Sequence, residues 1–129
     1  MRLRKSGRYA LAAALEMARS GDRLVTAAEV AKSHRVPEAV LAKVIQQLVH
    51  AGIAVGARGA GGGYRLSREP SRITVLDLLA VFDPDLVAQE NDSSDPIDRL
   101  MREVDERTRR TFASVTLETL SGSNASLTA

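Results

Sequence analysis

One short stretch concentrates residue types that could bind phosphate groups. Residues 57–66 read ARGAGGGYRL, so four glycines follow Arg58 within a few positions. Glycine loses more backbone freedom on folding than any other residue, so such a cluster implies a task that side chains would obstruct. Three tasks compete: a phosphate cradle for a nucleotide, a flexible linker, and the tip of a hairpin that contacts a large charged partner.

The residues after the glycines do not match either nucleotide-binding motif. A P-loop requires Lys followed by Ser or Thr after its last glycine, whereas Tyr64 and Arg65 follow here. The dinucleotide fingerprint, counted from Gly59 and Gly61, would need its third glycine where Tyr64 stands, and a helix would have to come next. A nucleotide cradle is therefore disfavoured.

The flanking segments favour a hairpin over a linker. Two short β-prone runs, residues 53–55 and 64–66, enclose the glycines, and apolar-patterned sequence continues on both sides. A tip without side-chain bulk lets its amides approach a partner closely. Arginine gains from the enhanced negative potential of a narrow minor groove, so Arg58 predicts a wing that contacts DNA.

Two helical segments precede this hairpin and must position it. The first opens with Thr26 and places Glu29 three residues later, which predicts a capping box. The second, VPEAVLAKVIQQLVHAG, has Pro37 suited to a first helical position and Gly52 suited to a stop. Its apolar residues at helical spacing predict a buried stripe made of Leu41, Val44, Ile45 and Leu48. The pair is a helix-turn-helix candidate.

The opposite face of the second helix has the composition that major-groove recognition requires. Ala39 and Ala42 keep it slim, Lys43 can donate to guanine acceptors or to phosphate, and Gln46 can bond an adenine edge. The alternative is the polar face of an ordinary bundle helix, which the helix pair by itself leaves open.

Charge is distributed unequally along the chain. Residues 1–72 hold 13 Lys and Arg against 5 Asp and Glu, a net of +8, whereas residues 73–129 hold 5 against 11, a net of −6. A basic half is the electrostatic footprint of a protein that binds a polyanion. Charge alone also permits an uneven scatter of solvated groups.

Composition excludes several classes of function. The 129-residue chain has no cysteine, so disulfides, thiolate-bound zinc and cysteine-ligated iron–sulfur clusters are excluded. His34 and His50 lack companion ligands, so we predict no metal and no cofactor. No nucleophile–base pair or paired carboxylates can be assembled, which argues against an enzyme. Neither a membrane span nor a signal peptide is apparent, so the sequence predicts a cytoplasmic protein with no membrane partner.

The C-terminal third predicts two further helices. Thr74 and Asp77 form a looser capping box for the first, and Asp95 and Pro96 mark the start of a longer one. One side of the longer helix, over about five turns, carries the apolar residues Ile97, Leu100, Val104, Phe112 and Val115. A small domain cannot easily bury this stripe, so we predict a homodimer, with an intramolecular bundle helix as the alternative.

The order of these elements resembles one family of bacterial regulators. The opening MRL…GRYAL, then TAAEVA, VPEAVLAKVIQQLVHAG and RGAGGGYRLSREPSRITVLDLLAVFD, are similar to IscR/NsrR/CymR-type winged-helix regulators over most of residues 1–83. FASVTLETL is similar to the segment that closes the family's dimerisation helix. The resemblance implies a homodimer that binds a palindromic operator in double-stranded DNA and represses transcription.

The resemblance also implies which residues contact DNA. The matching positions are Ala39, Ala42 and Lys43 in the groove helix, Arg58, Gly59 and Ala60 in the wing, and Arg8 and Tyr9 near the DNA backbone. Ala42 stands where some relatives carry an acidic, base-discriminating residue, so their operator preference cannot be transferred. Iron–sulfur members place three cysteines in the loop that here reads DPDLVAQENDSSD, so no cluster is transferred either.

Together these features predict a mainly α protein with a small β-hairpin wing: a winged helix-turn-helix domain plus a long C-terminal dimerisation helix. The predicted divisions are a DNA-binding domain (1–83), an acidic loop (84–95), a dimerisation helix with a short closing helix (96–121) and a flexible tail (122–129). The predicted function is a dimeric, sequence-specific transcriptional repressor. The alternative is a winged-helix module for protein interaction or small-ligand binding. The sequence identifies neither the operator nor any small-molecule effector.

Overall fold

A computed structural model describes residues 1–59, 61–88 and 93–122 of the chain. In chain order the elements are α1 (Lys5–Ser20), α2 (Ala27–His34), α3 (Glu38–His50), β1 (Ala54–Ala57), β2 (Gly63–Leu66), α4 (Val75–Phe82), α5 (Pro84–Val87), α6 (Pro96–Ser114) and α7 (Leu117–Ser121). A 3₁₀ turn, Pro70–Arg72, precedes α4. The mainly α architecture with one β-hairpin confirms the predicted fold class.

Helix α1 lies at the centre of the fold, against α3, α4 and α7. Its buried side consists mostly of very small residues, namely Gly7, Ala10, Ala13, Ala14 and Met17. Alanine favours the helix and leaves room for neighbouring helices to approach closely. The helix ends at Ser20, and the following Gly21 has φ 58°, a left-handed value that glycine adopts readily.

Helices α2 and α3 form the predicted helix-turn-helix. Thr26 Oγ1 accepts a hydrogen bond from the Glu29 amide at 3.1 Å, which is one half of the predicted capping box. The Glu29 carboxylate accepts from Arg23 Nη1 at 3.2 Å and so serves a different partner. Helix α3 begins at Glu38, one residue later than predicted, with Pro37 as its N-cap. The predicted stripe is confirmed, since all four of its residues are buried: Leu41, Val44, Ile45 and Leu48.

The predicted hairpin is also confirmed. Strands β1 and β2 pair antiparallel, in a register that places Ala54 opposite Leu66. An isolated antiparallel bridge, which the sequence pattern did not indicate, joins β2 to the residue Val25 before α2. Val25 and Tyr64 exchange two backbone hydrogen bonds of 2.8 Å each. A bridge between residues this far apart in sequence produces no local periodicity, so the sequence pattern could not predict it.

Helix α4 begins at a complete capping box. Thr74 Oγ1 accepts from the Asp77 amide at 3.1 Å, and Asp77 Oδ2 accepts from the Thr74 amide at 2.9 Å. Both orphan amides of the first turn are therefore satisfied reciprocally. The predicted start of this helix is confirmed.

After α6 the chain returns to the winged unit. The Val75 amide donates to the Val115 carbonyl at 2.9 Å, and the Leu117 amide donates to the Ile73 carbonyl at 2.8 Å. Leu117 is fully buried in the main core, which α1 and α3 also supply. The closing helix α7 thus packs with the N-terminal half of the chain, although its sequence follows the long helix.

The end of α6 differs from the prediction. The helix ends at Ser114, so Val115 lies beyond it and is not on its stripe. Val115 is 8% exposed and packs with Val75 and Leu79, while Phe112 is half-buried against the same cluster. The expectation that Val115 contacts a second copy is corrected, because its own chain already covers this side chain.

The N-terminal part of α6 carries a different surface. Ile97, Leu100 and Val104 are 70%, 58% and 47% exposed, and Met101, which the predicted stripe did not include, is 48% exposed. The spacing of these four residues places them on one side of the helix. We call Ile97, Leu100, Met101 and Val104 the α6 apolar face.

Parts of the predicted C-terminal divisions lie outside the described residues. Within the predicted acidic loop, residues 84–87 form α5, and residues 89–92 are not described. Of the predicted tail, residues 123–129 are not described. Throughout the described ranges, every helix is either too short or too polar to traverse a bilayer.

Candidate nucleic-acid interface

Helix α3 presents a slim face away from the core. Ala39, Lys43 and Gln46 are exposed, and Ala42 is half-buried. Because the buried stripe fixes the rotation of the helix, these four predicted residues share one outward surface. Their sizes leave a helix narrow enough for the major groove, with two side chains able to hydrogen-bond base edges or phosphate.

A cleft of about 650 Å³ separates this face from the first turns of α1. Lys5 and Tyr9 line it on the α1 side, and Val40 and Lys43 line it on the α3 side. The structure thus brings the predicted Tyr9 and Lys43 together and adds Lys5 to the candidate surface. The basic opening of the sequence was the signal that could have indicated Lys5.

The predicted neighbours Arg8 and Tyr9 differ in their relation to the cleft. Consecutive helical residues point about 100° apart, so the two side chains leave α1 in different directions. Arg8 is exposed, and both residues line a depression with His34 and Leu120. Of the two, only Tyr9 also lines the cleft beside α3.

The hairpin tip carries the predicted wing residues. Arg58 and Gly59 are exposed, and Ala60 lies outside the described residues. A Cβ at Gly62 would lie 2.7 Å from the Ala57 carbonyl oxygen and 2.8 Å from the Gly59 carbonyl oxygen. The backbone of the tip therefore folds so tightly that position 62 excludes any side chain. Gly62 is therefore required by the conformation of the tip itself, whether or not a partner approaches the tip closely.

One side-chain contact connects the two predicted DNA-binding elements. Gln46 Nε2 on α3 donates to the Tyr64 hydroxyl on β2 at 3.0 Å. The sequence predicted that Gln46 bonds the edge of an adenine, and it gave no indication of the bond to Tyr64. No local pattern could have indicated it, because it depends on how the hairpin packs beside α3.

Three cations of the candidate interface have no carboxylate partner in the described part of the chain. Among the described residues, no Asp or Glu oxygen lies within 4.0 Å of the charged nitrogens of Lys5, Lys43 or Arg58. All three side chains belong to exposed residues. A surface with exposed, unneutralised cations attracts phosphate from a distance and releases counterions on binding.

Arg4 has a different role from these cations. Its backbone amide donates to Asp83 Oδ2 at 3.0 Å, and its Nη2 donates to Asp85 Oδ2 at 2.8 Å. Asp83 is only 3% exposed, and its carboxylate provides an acceptor just before α1 begins. This contact fastens the N-terminus of the chain to the end of α4.

We expect Asp83→Ala to lower the free energy of unfolding by about 1–3 kcal/mol, because it leaves the Arg4 amide without its acceptor. Urea denaturation followed by circular dichroism measures the change. Asp85→Ala is the matched control, since the Asp85 side chain is 82% exposed and its loss should change stability by less than about 0.5 kcal/mol. Equal effects of the two substitutions would contradict a specific role for the buried carboxylate.

Known proteins resemble this chain along most of its length. The profile of the Rrf2 family, described as an iron-dependent transcriptional regulator, matches residues 3–123. BadM of Rhodopseudomonas palustris, named as an HTH-type transcriptional regulator, is 35% identical over 126 residues, which cover 93% of this chain and 81% of BadM. The HTH-type transcriptional regulator IscR of Cereibacter sphaeroides is 37% identical over 82 residues, 61% of this chain but 53% of that protein.

Solved structures show the same fold. CymR (YrzC), the global cysteine regulator of B. subtilis, superposes with a TM-score of 0.84 at 28% identity, covering 94% of this chain and 96% of CymR. IscR of T. potens superposes with a TM-score of 0.79 at 27% identity, covering 93% of this chain and 86% of that protein.

The family is described as iron-dependent, but the side chains of this chain do not supply a matching set of iron ligands. The sequence has no cysteine to supply a thiolate. In the part of the chain that the structure describes, no three His, Asp or Glu side chains come together as a metal-binding group. The proposed mode of DNA binding therefore includes no iron.

Proposed function

This chain belongs to the Rrf2 family of DNA-binding transcriptional regulators, and we propose that it acts as a homodimeric repressor that binds a palindromic operator. Its relatives are named as regulators and not as enzymes. We also propose a cytoplasmic location, in contact with the DNA that it regulates. Repression is what the resemblance to the IscR/NsrR/CymR-type regulators implies.

The observations that carry this proposal are the contact between α3 and the hairpin at Gln46 and Tyr64, and the exposed cations Lys43 and Arg58 on those two elements. Ala39 and Ala42 keep α3 slim, and Lys43 stands beside them, free of any carboxylate in the described chain. We propose that α3 enters the major groove and that Lys43 donates to a guanine or a phosphate. Arg58 and Gly59 would then reach the adjacent minor groove.

The first turns of α1 complete the proposed surface. Tyr9 and Lys5 face α3 across the cleft, where a DNA backbone could lie between the two helices. Arg8 points elsewhere, so we assign it to a more peripheral phosphate contact. Phosphate contacts of this type fix the register of a protein on DNA without reading its sequence.

The α6 apolar face supports the proposed dimer. Four large apolar side chains on one side of a helix, each about half exposed or more, form an unusual surface for a chain that stays single. Pairing with the same face of a second copy would remove them from water under two-fold symmetry. Two copies related in this way would present two α3 helices to the two halves of a palindrome.

The proposal is tested by selecting bound sequences from random duplexes with the purified chain. We expect a palindrome whose half-sites lie about 10 base pairs, or a multiple of that distance, apart. Affinity for the selected site should fall at least about 100-fold between 50 and 200 mM salt, because bound phosphates release counterions. Enrichment of no sequence, with only uniform duplex binding, would contradict sequence-specific regulation. Screening metabolites against the selected site would then identify any effector.

A further inference from the structure

The contact between Gln46 and Tyr64 has a supporting framework that ordinary surface contacts lack. The two residues lie on different elements, and their side chains meet at 3.0 Å between Gln46 Nε2 and the Tyr64 hydroxyl oxygen. The direction in which the Gln46 side chain leaves α3 is set by the buried stripe that anchors this helix. Tyr64 is constrained through its backbone and through its ring.

The backbone of Tyr64 lies between two neighbours. On one side it stands opposite Gly56 in the hairpin register. On the other side its amide and carbonyl both bond Val25 at 2.8 Å, and Val25 is buried in the main core. Tyr64 is therefore the hairpin residue through which the wing is tied to the body of the protein.

The ring of Tyr64 is constrained as well. A Cβ placed at Gly56 would lie 3.1 Å from Cε1 and 3.4 Å from Cδ1 of the ring. The ring thus lies over the bare backbone of β1, at a distance that a side chain at position 56 would disturb. This position directs the hydroxyl across the hairpin to Gln46, so the contact rests on two constrained partners.

The position of the wing relative to α3 matters because the two elements must contact adjacent grooves at the same time. A hairpin that swings freely has to be ordered when DNA binds, and that ordering opposes affinity. Near its base the hairpin is attached by the Ile53 amide, which donates to the Leu48 carbonyl at 2.9 Å. Farther along the hairpin, the two backbone bonds between Tyr64 and Val25 attach it to the core, and the Gln46–Tyr64 bond adds a side-chain attachment to α3 itself.

We propose that Gln46 and Tyr64 form a strut that holds the wing at a fixed position relative to α3, so that Gln46 is a positioning residue and not a base-reading one. This inference rests on the proposed DNA-binding surface. A glutamine that reads adenine turns its amide oxygen and one N–H together to the base edge, whereas here one N–H of Gln46 Nε2 donates to the Tyr64 hydroxyl and directs the amide group toward the hairpin. In this proposal, the position of the wing relative to α3 depends on two side chains that lie 18 residues apart in sequence.

The test uses the full-length chain and three substituted forms: Gln46→Ala, Tyr64→Phe and the double substitution. Tyr64→Phe keeps the ring over Gly56 and removes only the hydroxyl. We expect each single substitution to weaken binding to the selected operator by about 3- to 10-fold, and the double substitution to weaken it no further, since either change removes the same bond. The preferred base at each operator position should stay unchanged in all three.

Hydrogen–deuterium exchange of the free chain provides a readout that does not require DNA. We expect amides of β1 and β2 to exchange at least about threefold faster in Gln46→Ala and Tyr64→Phe, because the hairpin opens more often. Gln47→Ala is the matched control: it removes the neighbouring exposed glutamine and should leave exchange in the hairpin unchanged.

Two outcomes would overturn the strut. One is unchanged exchange in the hairpin of both single variants. The other is an additive loss of affinity in the double variant, together with an altered base preference in Gln46→Ala, which would assign Gln46 to base reading. If the unsubstituted chain selects no duplex at all, the proposed function fails, while the exchange measurement still decides whether the strut exists.

Discussion

Replacing Leu100 with Asp is expected to convert the proposed dimer to a monomer and to weaken operator binding by at least about 100-fold, because two linked half-sites are bound far more tightly than one. Leu100 lies in the middle of the α6 apolar face and is 58% exposed in the single chain. A carboxylate there would have to be desolvated in any paired helix. Sedimentation analysis measures the assembly state, and fluorescence polarisation with the selected duplex measures affinity.

Ala113→Asp is the matched control for this substitution. It adds the same charge at another exposed position of α6, about 140° around the helix from Leu100. The control should remain dimeric and bind the operator as the original chain does. Circular dichroism should show unchanged helix content in both variants, since neither position is buried within its own chain. A Leu100→Asp chain that stays dimeric would show that the α6 apolar face is not the interface.

Replacing Arg58 with Ala is expected to weaken operator binding by about 10- to 100-fold, because two copies of a minor-groove cation are lost from one dimer. Arg58 is exposed at the hairpin tip, away from the core, so thermal stability should not change. Polarisation titrations at two salt concentrations measure both the affinity and its salt dependence. The salt slope should become shallower if Arg58 neutralises phosphate charge.

Arg68→Ala separates the position of this cation from its charge alone. Arg68 is an exposed arginine that follows β2 at the base of the hairpin, so its loss changes the net charge by the same amount. We expect less than about a threefold effect from it, because long-range charge contributes less than a direct contact. Equal losses for Arg58→Ala and Arg68→Ala would mean that only overall charge matters and that the tip does not enter a groove.

The absence of cysteine distinguishes this chain from the iron-dependent function in its family's description. Thiolates are the ligands by which iron–sulfur clusters are usually held, and this sequence contains none. A cysteine-ligated cluster is therefore excluded as a sensor within this sequence. Metabolite screening on the selected operator is the direct way to identify a signal that releases the chain from DNA.

The sequence by itself determined the elements whose signals are local. The stripe from Leu41 to Leu48 follows the period of a helix, so its burial could be predicted without knowing what covers it. The Thr74–Asp77 capping box closes within one turn of chain and was equally readable. The glycine-rich tip between two β-prone runs indicated the hairpin for the same reason. The basic N-terminal half indicated a polyanionic partner because net charge can be counted directly from the sequence.

Only the tertiary structure decided how these elements meet. The Val25–Tyr64 bridge and the Gln46–Tyr64 bond each join residues that lie far apart in sequence. The burial of Val115 depends on its position beside α4, and its apolar type alone could not distinguish that site from a dimer interface. Periodicity reports which side of an element avoids water, but the partner that covers that side is set by packing between distant segments. Local sequence patterns could therefore indicate the elements that we propose to bind DNA, whereas the placement of these elements relative to one another required the tertiary structure.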